Sequence, residues 1–179
     1  MKKLKLIIGS TRQNRNGKAV ADWLVNTAKN EGIDLEVLDL KEINLPNFDA
    51  PVPPAYMPTQ TEEGKAWQQQ IAEAEGFVFL TSEYNRSIPS SLKNAIDYLV
   101  EEWKEKPAVI VSYGFIDGGG SATNHLKDIL NWLKMDIKDP TIAIQFTQDT
   151  FKQEGGFVDI DASLGDYKQP FIDALKSIS

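Results

Sequence analysis

The chain has 179 residues, 41% of them hydrophobic and 25% charged, with a formal net charge of −7, proportions that suit one ordinary globular domain with a substantial core. It has no cysteine, which excludes disulfides, thiolate nucleophiles and cysteine-held metal or iron–sulfur centres and fits a reducing compartment. The acidic balance repels nucleic-acid phosphate at long range, so no nucleic-acid partner is expected.

The opening MKKLKLIIGSTR predicts a first strand at Lys5–Ile8. Its apolar run ends at Gly9 and is interrupted by Lys5, too short for a secretory core or a membrane span. No later segment approaches ~18 uninterrupted apolar residues, so a cytoplasmic protein without membrane contact is expected. After the loop of residues 9–19, Val20, Trp23, Leu24, Thr27 and Ala28 line one helical face. A second strand is predicted at Leu35–Leu38. The stretch Pro46–Gln60 holds five of the nine prolines and reads as a stiff connection. It is either a surface loop or a wall of the active site or of a subunit contact, with Phe48 and Tyr56 as anchors.

Thr61-Glu62-Glu63 predicts a helix start, followed by the stripe Trp67, Ile71 and Ala74. A third strand falls at Phe77–Leu80, and Leu92, Ile96, Leu99, Val100 and Trp103 predict a third helix. The fourth strand is Ala108–Ser112, with a helix carrying Leu126, Ile129, Leu130 and Leu133. A fifth strand at Thr141–Phe146 precedes a last helix with Phe171, Ala174, Leu175 and Ile178. No composition shift or repeat divides the chain, so residues 1–179 are expected to form one domain. Five strands alternating with five helices predict a flavodoxin-like three-layer α/β/α fold. Its five-stranded parallel sheet takes the order 2-1-3-4-5. In such sheets ligands bind outside the carboxyl ends of the strands, near the switch point.

Three loops at those ends carry the chemistry. In GSTRQNRNGKA, residues 9–19, hydroxyls, amides, Arg12 and a helix start near Gly17 suit a phosphate monoester. A Walker A loop is excluded, because position 12 is Arg and position 19 is Ala, and a dinucleotide fingerprint lacks its third glycine. In TSEYNRSIPSSLKNAIDYL, residues 81–99, Glu83, Asn85 and Ser87 with the flat ring of Tyr84 suit a planar heteroaromatic. Ser87 and Ser90 have no obvious base, which argues against a serine nucleophile. In SYGFIDGGGSATNHL, residues 112–126, Gly118–Gly120 permit close backbone approach, and Tyr113 and Phe115 flank a ring. His125, the one histidine, reads as a surface or helix-flank residue without partners for a metal.

The segments GSTRQNRNGKAVADWL, EYNRSIPSSLKNAIDYL and SYGFIDGGGSA, in that order, resemble the NAD(P)H-dependent FMN reductase family, which includes quinone, azo-dye and chromate reductases. LPNFDAPVPPAYMPTQTEEGKAW is similar to that family's second connection. The resemblance implies a flavodoxin-like fold, FMN as cofactor, NADPH or NADH as co-substrate and a homodimer or dimer of dimers. By position, Ser10, Arg12, Arg15, Asn16 and Gly17 would surround the FMN phosphate. Glu83, Tyr84, Asn85 and Ser87 would border the ribityl chain and ring. Ser112, Tyr113, Gly114, Gly118 and Gly119 would close its other side. Ser82, Arg86 and Ser90 depart from the family pattern, and Arg86 is the departure placed to alter substrate choice. The expected activity passes two electrons, in ping-pong order, to a small-molecule electron acceptor: a quinone, azo compound or free flavin. Backbone N–H groups near residues 84–87 are expected at the ring edge, and no side chain is assigned as acid or base. The alternatives are a flavodoxin-type electron carrier and a non-catalytic nucleotide-binding sensor.

Overall fold

A computed structural model describes residues 2–179. The strands form where apolar runs need cover on both faces. They are β1 (Leu4–Ile8), β2 (Leu35–Asp39), β3 (Gly76–Ser82), β4 (Pro107–Gly114), β5 (Asp136–Ile137) and β6 (Ile142–Gln145). All pair in parallel, in the order β2-β1-β3-β4-β5, with β6 also on β4. The predicted order therefore stands, the predicted fifth strand is β6, and the two-residue β5 is an addition that the sequence reading lacked. β5 pairs with Pro107–Ala108 and β6 with Val111–Gly114. Between them lies Pro140, which has no amide to give to a ladder.

The helices are α1 (Gly17–Asn30), α2 (Leu40–Ile43), α3 (Glu62–Ala72), α4 (Ser90–Asp97), α5 (Gly120–Trp132) and α6 (Ile160–Lys176). The Thr61 hydroxyl accepts from the Gly64 amide at 3.1 Å, the N-cap predicted for α3. The third apolar stripe is less regular than expected. The helix ends at Asp97, and Trp103 reaches the core from a single 3-10 turn at Glu101–Trp103.

Two apolar layers hold the sheet. On one side Val20, Leu24, Phe171 and Leu175 pack on the strand residues Leu6, Ile8, Val78 and Val109. On the other, Trp67, Ile71, Leu92, Trp103 and Leu126 pack on Ile7, Phe77, Phe79 and Ile110. The Trp103 ring meets Phe77 at 5.2 Å and Trp67 at 6.3 Å, edge to face, and its indole N–H donates to the Ile96 carbonyl. Both faces thus being filled, the carboxyl edge of β1, β3 and β4 is where polar groups gather. No helix among the described residues is long and apolar enough to cross a membrane.

The proline-bearing connection lies on α4. Asn94 accepts from the Phe48 amide and donates to the Pro46 carbonyl, both at 2.8 Å, and the Tyr98 hydroxyl donates to the same carbonyl. Phe48 stacks edge to face on Tyr98 at 5.2 Å, so it is an anchor. Tyr56 is 84% exposed and anchors nothing within the chain.

Candidate functional site

β1 ends against β3 through the Gly9 amide, which donates to the Leu80 carbonyl at 2.8 Å. The chain then leaves the sheet and turns into α1. From Thr11 to Ala19 no backbone amide has a protein acceptor among the described residues. Asn16 occupies the N-cap of α1, yet its side chain makes no capping bond and the first turn holds no acidic residue. The orphan donors of a helix start are therefore left facing outward, at the positive end of the helix.

The two arginines of this loop have different situations. Arg15 is nearly buried, donates to the Ser10 carbonyl at 2.7 Å and forms an ion pair with Asp39 at the end of β2. Its guanidinium fixes the loop to the sheet. Arg12 is exposed and has no ion-pair partner among the described residues. Its positive charge reaches the Tyr113 hydroxyl.

Four hydroxyls meet where the three loops converge. Ser10, 1% exposed, shares a hydrogen bond with the Tyr84 hydroxyl at 2.7 Å. Gly17 leaves room for the Tyr113 hydroxyl, which a Cβ there would approach to 2.6 Å. Burial pushes Tyr113 up to about 12, while Ser82, Ser10 and Arg12 pull it down and Tyr84 raises it. It stays a neutral phenol throughout the physiological range. Ser82 faces that phenol without completing a well-formed bond. Its Oγ is the one buried side-chain polar atom among the described residues without a hydrogen-bond partner.

Beyond β3 the chain makes a tight turn. Tyr84 and Ser87 exchange backbone hydrogen bonds at 2.8 and 3.0 Å, and Asn85 and Arg86 both take left-handed φ, 50° and 68°. This is the geometry of a primed hairpin turn, natural for Asn and unusual for Arg. The expectation of ring-edge amides across residues 84–87 is corrected in part. The Tyr84 and Ser87 amides are consumed by the turn, leaving those of Asn85 and Arg86. Tyr84, at 36%, and Phe115, at 56%, present exposed aromatic surface beside it.

Several polar residues read as ligand contacts make bonds within the protein. Glu83 accepts from the Ser121 and Ala122 amides at 3.0 and 3.2 Å, capping α5, with Arg86 3.8 Å from its other oxygen. The Ser112 hydroxyl, fully buried, donates to the Gly118 carbonyl and accepts from Thr123, both at 2.8 Å. Asp117 caps Gly120 at 2.8 Å. Gly118, at φ +64°, lies so close to β6 that a Cβ would stand 2.6 Å from the Ala143 carbonyl carbon. Gly119 is the left-handed N-cap of α5, and Gly114 backs onto it.

Two features lay outside the sequence reading. His125 is exposed on α5, as expected, but its Nδ1 lies 3.0 Å from the Ser87 hydroxyl. Ser87 therefore has an imidazole beside it, though no carboxylate orients that ring among the described residues. The spacing of 38 residues gave no local signal. Behind the third loop, Phe146, Phe151 and Phe157 form a ring cluster with centroids 5.0–5.6 Å apart, and Phe115 joins it at 5.9 Å from Phe151. No group of three or more metal-ligating side chains occurs among the described residues.

The sheet order, with a loop of unpaired amides after β1 and aromatic rims after β3 and β4, defines a flavodoxin-like α/β protein. Solved structures share this fold. FerB, a flavoenzyme NAD(P)H:acceptor oxidoreductase from Paracoccus denitrificans, aligns over 99% of both chains with a TM-score of 0.75 at 23% identity. A Fusobacterium nucleatum flavodoxin bound to flavin mononucleotide aligns over 99% of this chain and 97% of that one, with a TM-score of 0.56 at 14% identity. An NAD(P)H-dependent FMN reductase of Schizosaccharomyces pombe is 38% identical over 176 residues, 94% of this chain and 86% of that one. A 2-hydroxy-1,4-benzoquinone reductase of a Burkholderia species is 30% identical over 179 residues, 96% of this chain and 92% of that one. The family described as NADPH-dependent FMN reductase matches residues 2–149. The chain belongs to that family, and it is an oxidoreductase of that class. FMN is the family's cofactor and NAD(P)H its reductant.

Proposed function

We propose that the protein binds FMN at the carboxyl edge of its sheet and uses it to carry two electrons from NAD(P)H to small acceptors such as quinones, azo compounds or free flavin. The observation that carries this reading is the start of α1. It offers unpaired amides from Thr11 to Ala19, no acidic residue in the first turn and an unpaired Arg12, in a chain of net charge −7. A phosphate monoester fits that donor set. The orphaned Ser82 hydroxyl and the exposed Tyr84 and Phe115 rings suit a planar, polar-edged ring next to it.

In this reading Ser10, Arg12, Asn16 and the Gly17 amide hold the phosphate, and Arg15 holds the loop in shape through Asp39. Tyr84, Asn85 and Ser87 border one side of the ring, Tyr113, Gly114 and the Gly118–Gly119 backbone the other. Glu83 and Ser112 fix the distance between those two sides by bonding to α5 and to the glycine loop. FMN, when bound, supplies the redox chemistry, accepting hydride from NAD(P)H and releasing both electrons to the acceptor. The Asn85 and Arg86 amides, unpaired in the turn, face the developing negative charge. One open side serves reductant and acceptor in turn, which gives ping-pong kinetics.

The homodimer or dimer of dimers implied by the resemblance belongs to the same proposal. An apolar groove of about 680 Å³ between the proline-bearing connection, α4 and α5 supports it, with Trp132 86% exposed at its edge.

Anaerobic mixing with NADPH and with NADH, followed by quinone, azo dye or free FMN, tests the activity. Bleaching of bound FMN and its return with acceptor is expected. A flavin that binds but does not bleach would make the protein an electron carrier. A protein that takes up no FMN would be neither. Arg12→Ala is expected to weaken FMN binding by about 1.5–3 kcal/mol, the range for a charged hydrogen bond. An unchanged dissociation constant would remove Arg12 from the phosphate.

A further inference from the structure

A second polar cleft opens on the other flank of the first loop. Its volume is about 360 Å³, at the small end for a ligand pocket, and it lies between α2, α4 and the turn that follows α2. Thr11 of the phosphate loop forms part of its lining, so the cleft adjoins the FMN site without being part of the ring opening. Leu40 and Leu45 supply its apolar lining.

Its walls are fixed. Ser91 donates to the Gly9 carbonyl at 2.6 Å, and Asn94 holds the Pro46 and Phe48 backbone. Thr11, Asn44, Asn47 and Ser90 remain as polar side chains without a side-chain hydrogen bond among the described residues. The charge pattern is the informative part. The lining contains one cation, Lys41, and no carboxylate. Lys41 makes no ion pair among the described residues. Of the two acids nearest Lys41 in sequence, Glu42 lies outside the lining, and Asp39 accepts from the Lys41 backbone amide and is paired with Arg15. In a protein carrying seven more acidic than basic side chains, a carboxylate-free cleft around an unpaired lysine favours an anion.

We propose that this cleft receives the adenosine 2′-phosphate of the reductant, and that Lys41 makes the protein select NADPH over NADH. The proposal rests on the reductase reading above and adds to it the identity of the co-substrate. A strongly hydrated ammonium on a flexible stem suits a terminal phosphate at a cleft rim. The hydroxyl and amide groups around it provide further donors for the same oxygens. NADH, which lacks that phosphate, would gain nothing from Lys41, so the discrimination lies in one charge contact.

The test uses FMN-loaded protein and two probes that carry no nicotinamide, 2′,5′-ADP and 5′-ADP, measured by calorimetry. The expected result is 2′,5′-ADP binding about tenfold tighter, the scale of one charged hydrogen bond. Lys41→Ala should abolish that preference and Lys41→Arg should keep it. In steady-state kinetics Lys41→Ala should raise KM for NADPH by about tenfold while leaving KM for NADH and the FMN content unchanged. Equal affinity of the wild-type protein for the two probes would overturn the proposal. So would loss of FMN from Lys41→Ala, which would assign the cleft to the flavin's own phosphate. A wild-type protein that prefers 2′,5′-ADP through Lys41 but oxidises neither nucleotide would retain the subsite and remove the reductase reading.

Discussion

Two helices begin at the same edge of the sheet, and they treat their first amides in opposite ways. α5 starts from Gly119 with carboxylates on three successive amides, Asp117 on Gly120 and Glu83 on Ser121 and Ala122. α1 starts from Asn16 with no side chain on its amides and no acid in its first turn. A helix N-terminus attracts negative charge in either case. At α5 the protein supplies that charge itself. At α1 it does not, and it sets an unpaired arginine nearby. The glycine-rich loop, which looks the more obvious ligand cradle in the sequence, is thus internally satisfied, and the less glycine-rich loop is the one with donors to offer.

The largest test of this contrast is within the first loop. Arg15 and Asp39 are a nearly buried pair, with side chains 7% and 11% exposed. Replacing one partner leaves the other uncompensated, so Arg15→Met should cost about 3–5 kcal/mol of folding stability. Arg12→Ala, at an exposed position, should leave the midpoint of urea unfolding of the flavin-free protein unchanged. If the two variants lost equal stability, the division between a framework arginine and a ligand arginine would be wrong.

The next test is at α5. Glu83→Ala removes two capping bonds and should cost about 1–2 kcal/mol, read from the same unfolding curves. Its effect on the FMN dissociation constant should be smaller than that of Arg12→Ala, because the carboxylate bonds to α5. A loss of FMN affinity larger than the Arg12 variant shows, at unchanged stability, would return Glu83 to the ligand.

The fold was legible because periodicity reports burial directly. LKLII and GFVFL are apolar throughout and became β1 and β3, and the stripe from Val20 to Ala28 became the inner face of α1. Where the reading failed, burial and backbone parted company. Trp103 is fully buried, so it continued the apolar stripe of α4 although the chain had left the helix at Asp97. β5 is only two residues long and bears a charged side chain, too little pattern to see. The three candidate loops do follow β1, β3 and β4, as the strand pattern predicted. What their polar residues bond to was not visible. Arg15 meets Asp39 across 24 residues and Glu83 meets Ser121 across 38, and no local spacing encodes such meetings. Polar composition predicted a site, but it could not divide donors already satisfied from donors still free.

The smallest expected effect concerns Arg86, the ion-pair partner of the Glu83 that caps α5. It holds φ +68°, where a residue with a Cβ is strained, and its ion pair with Glu83 is long, at 3.8 Å, and 65% exposed on the arginine side. Such a pair contributes little, whereas glycine adopts the same φ freely. Relief of left-handed strain is opposed by the greater freedom of a glycine in the unfolded chain. Arg86→Gly should therefore change stability by less than about 1 kcal/mol. It should keep the FMN affinity, because the Asn85 and residue-86 amides stay where the turn puts them. The acceptor preference should move, since a positive side chain is lost beside the ring opening. Ratios of kcat/KM for an anionic and a neutral quinone measure this, with the anionic one expected to lose more. Identical ratios in the two proteins would mean that Arg86 acts only through the turn.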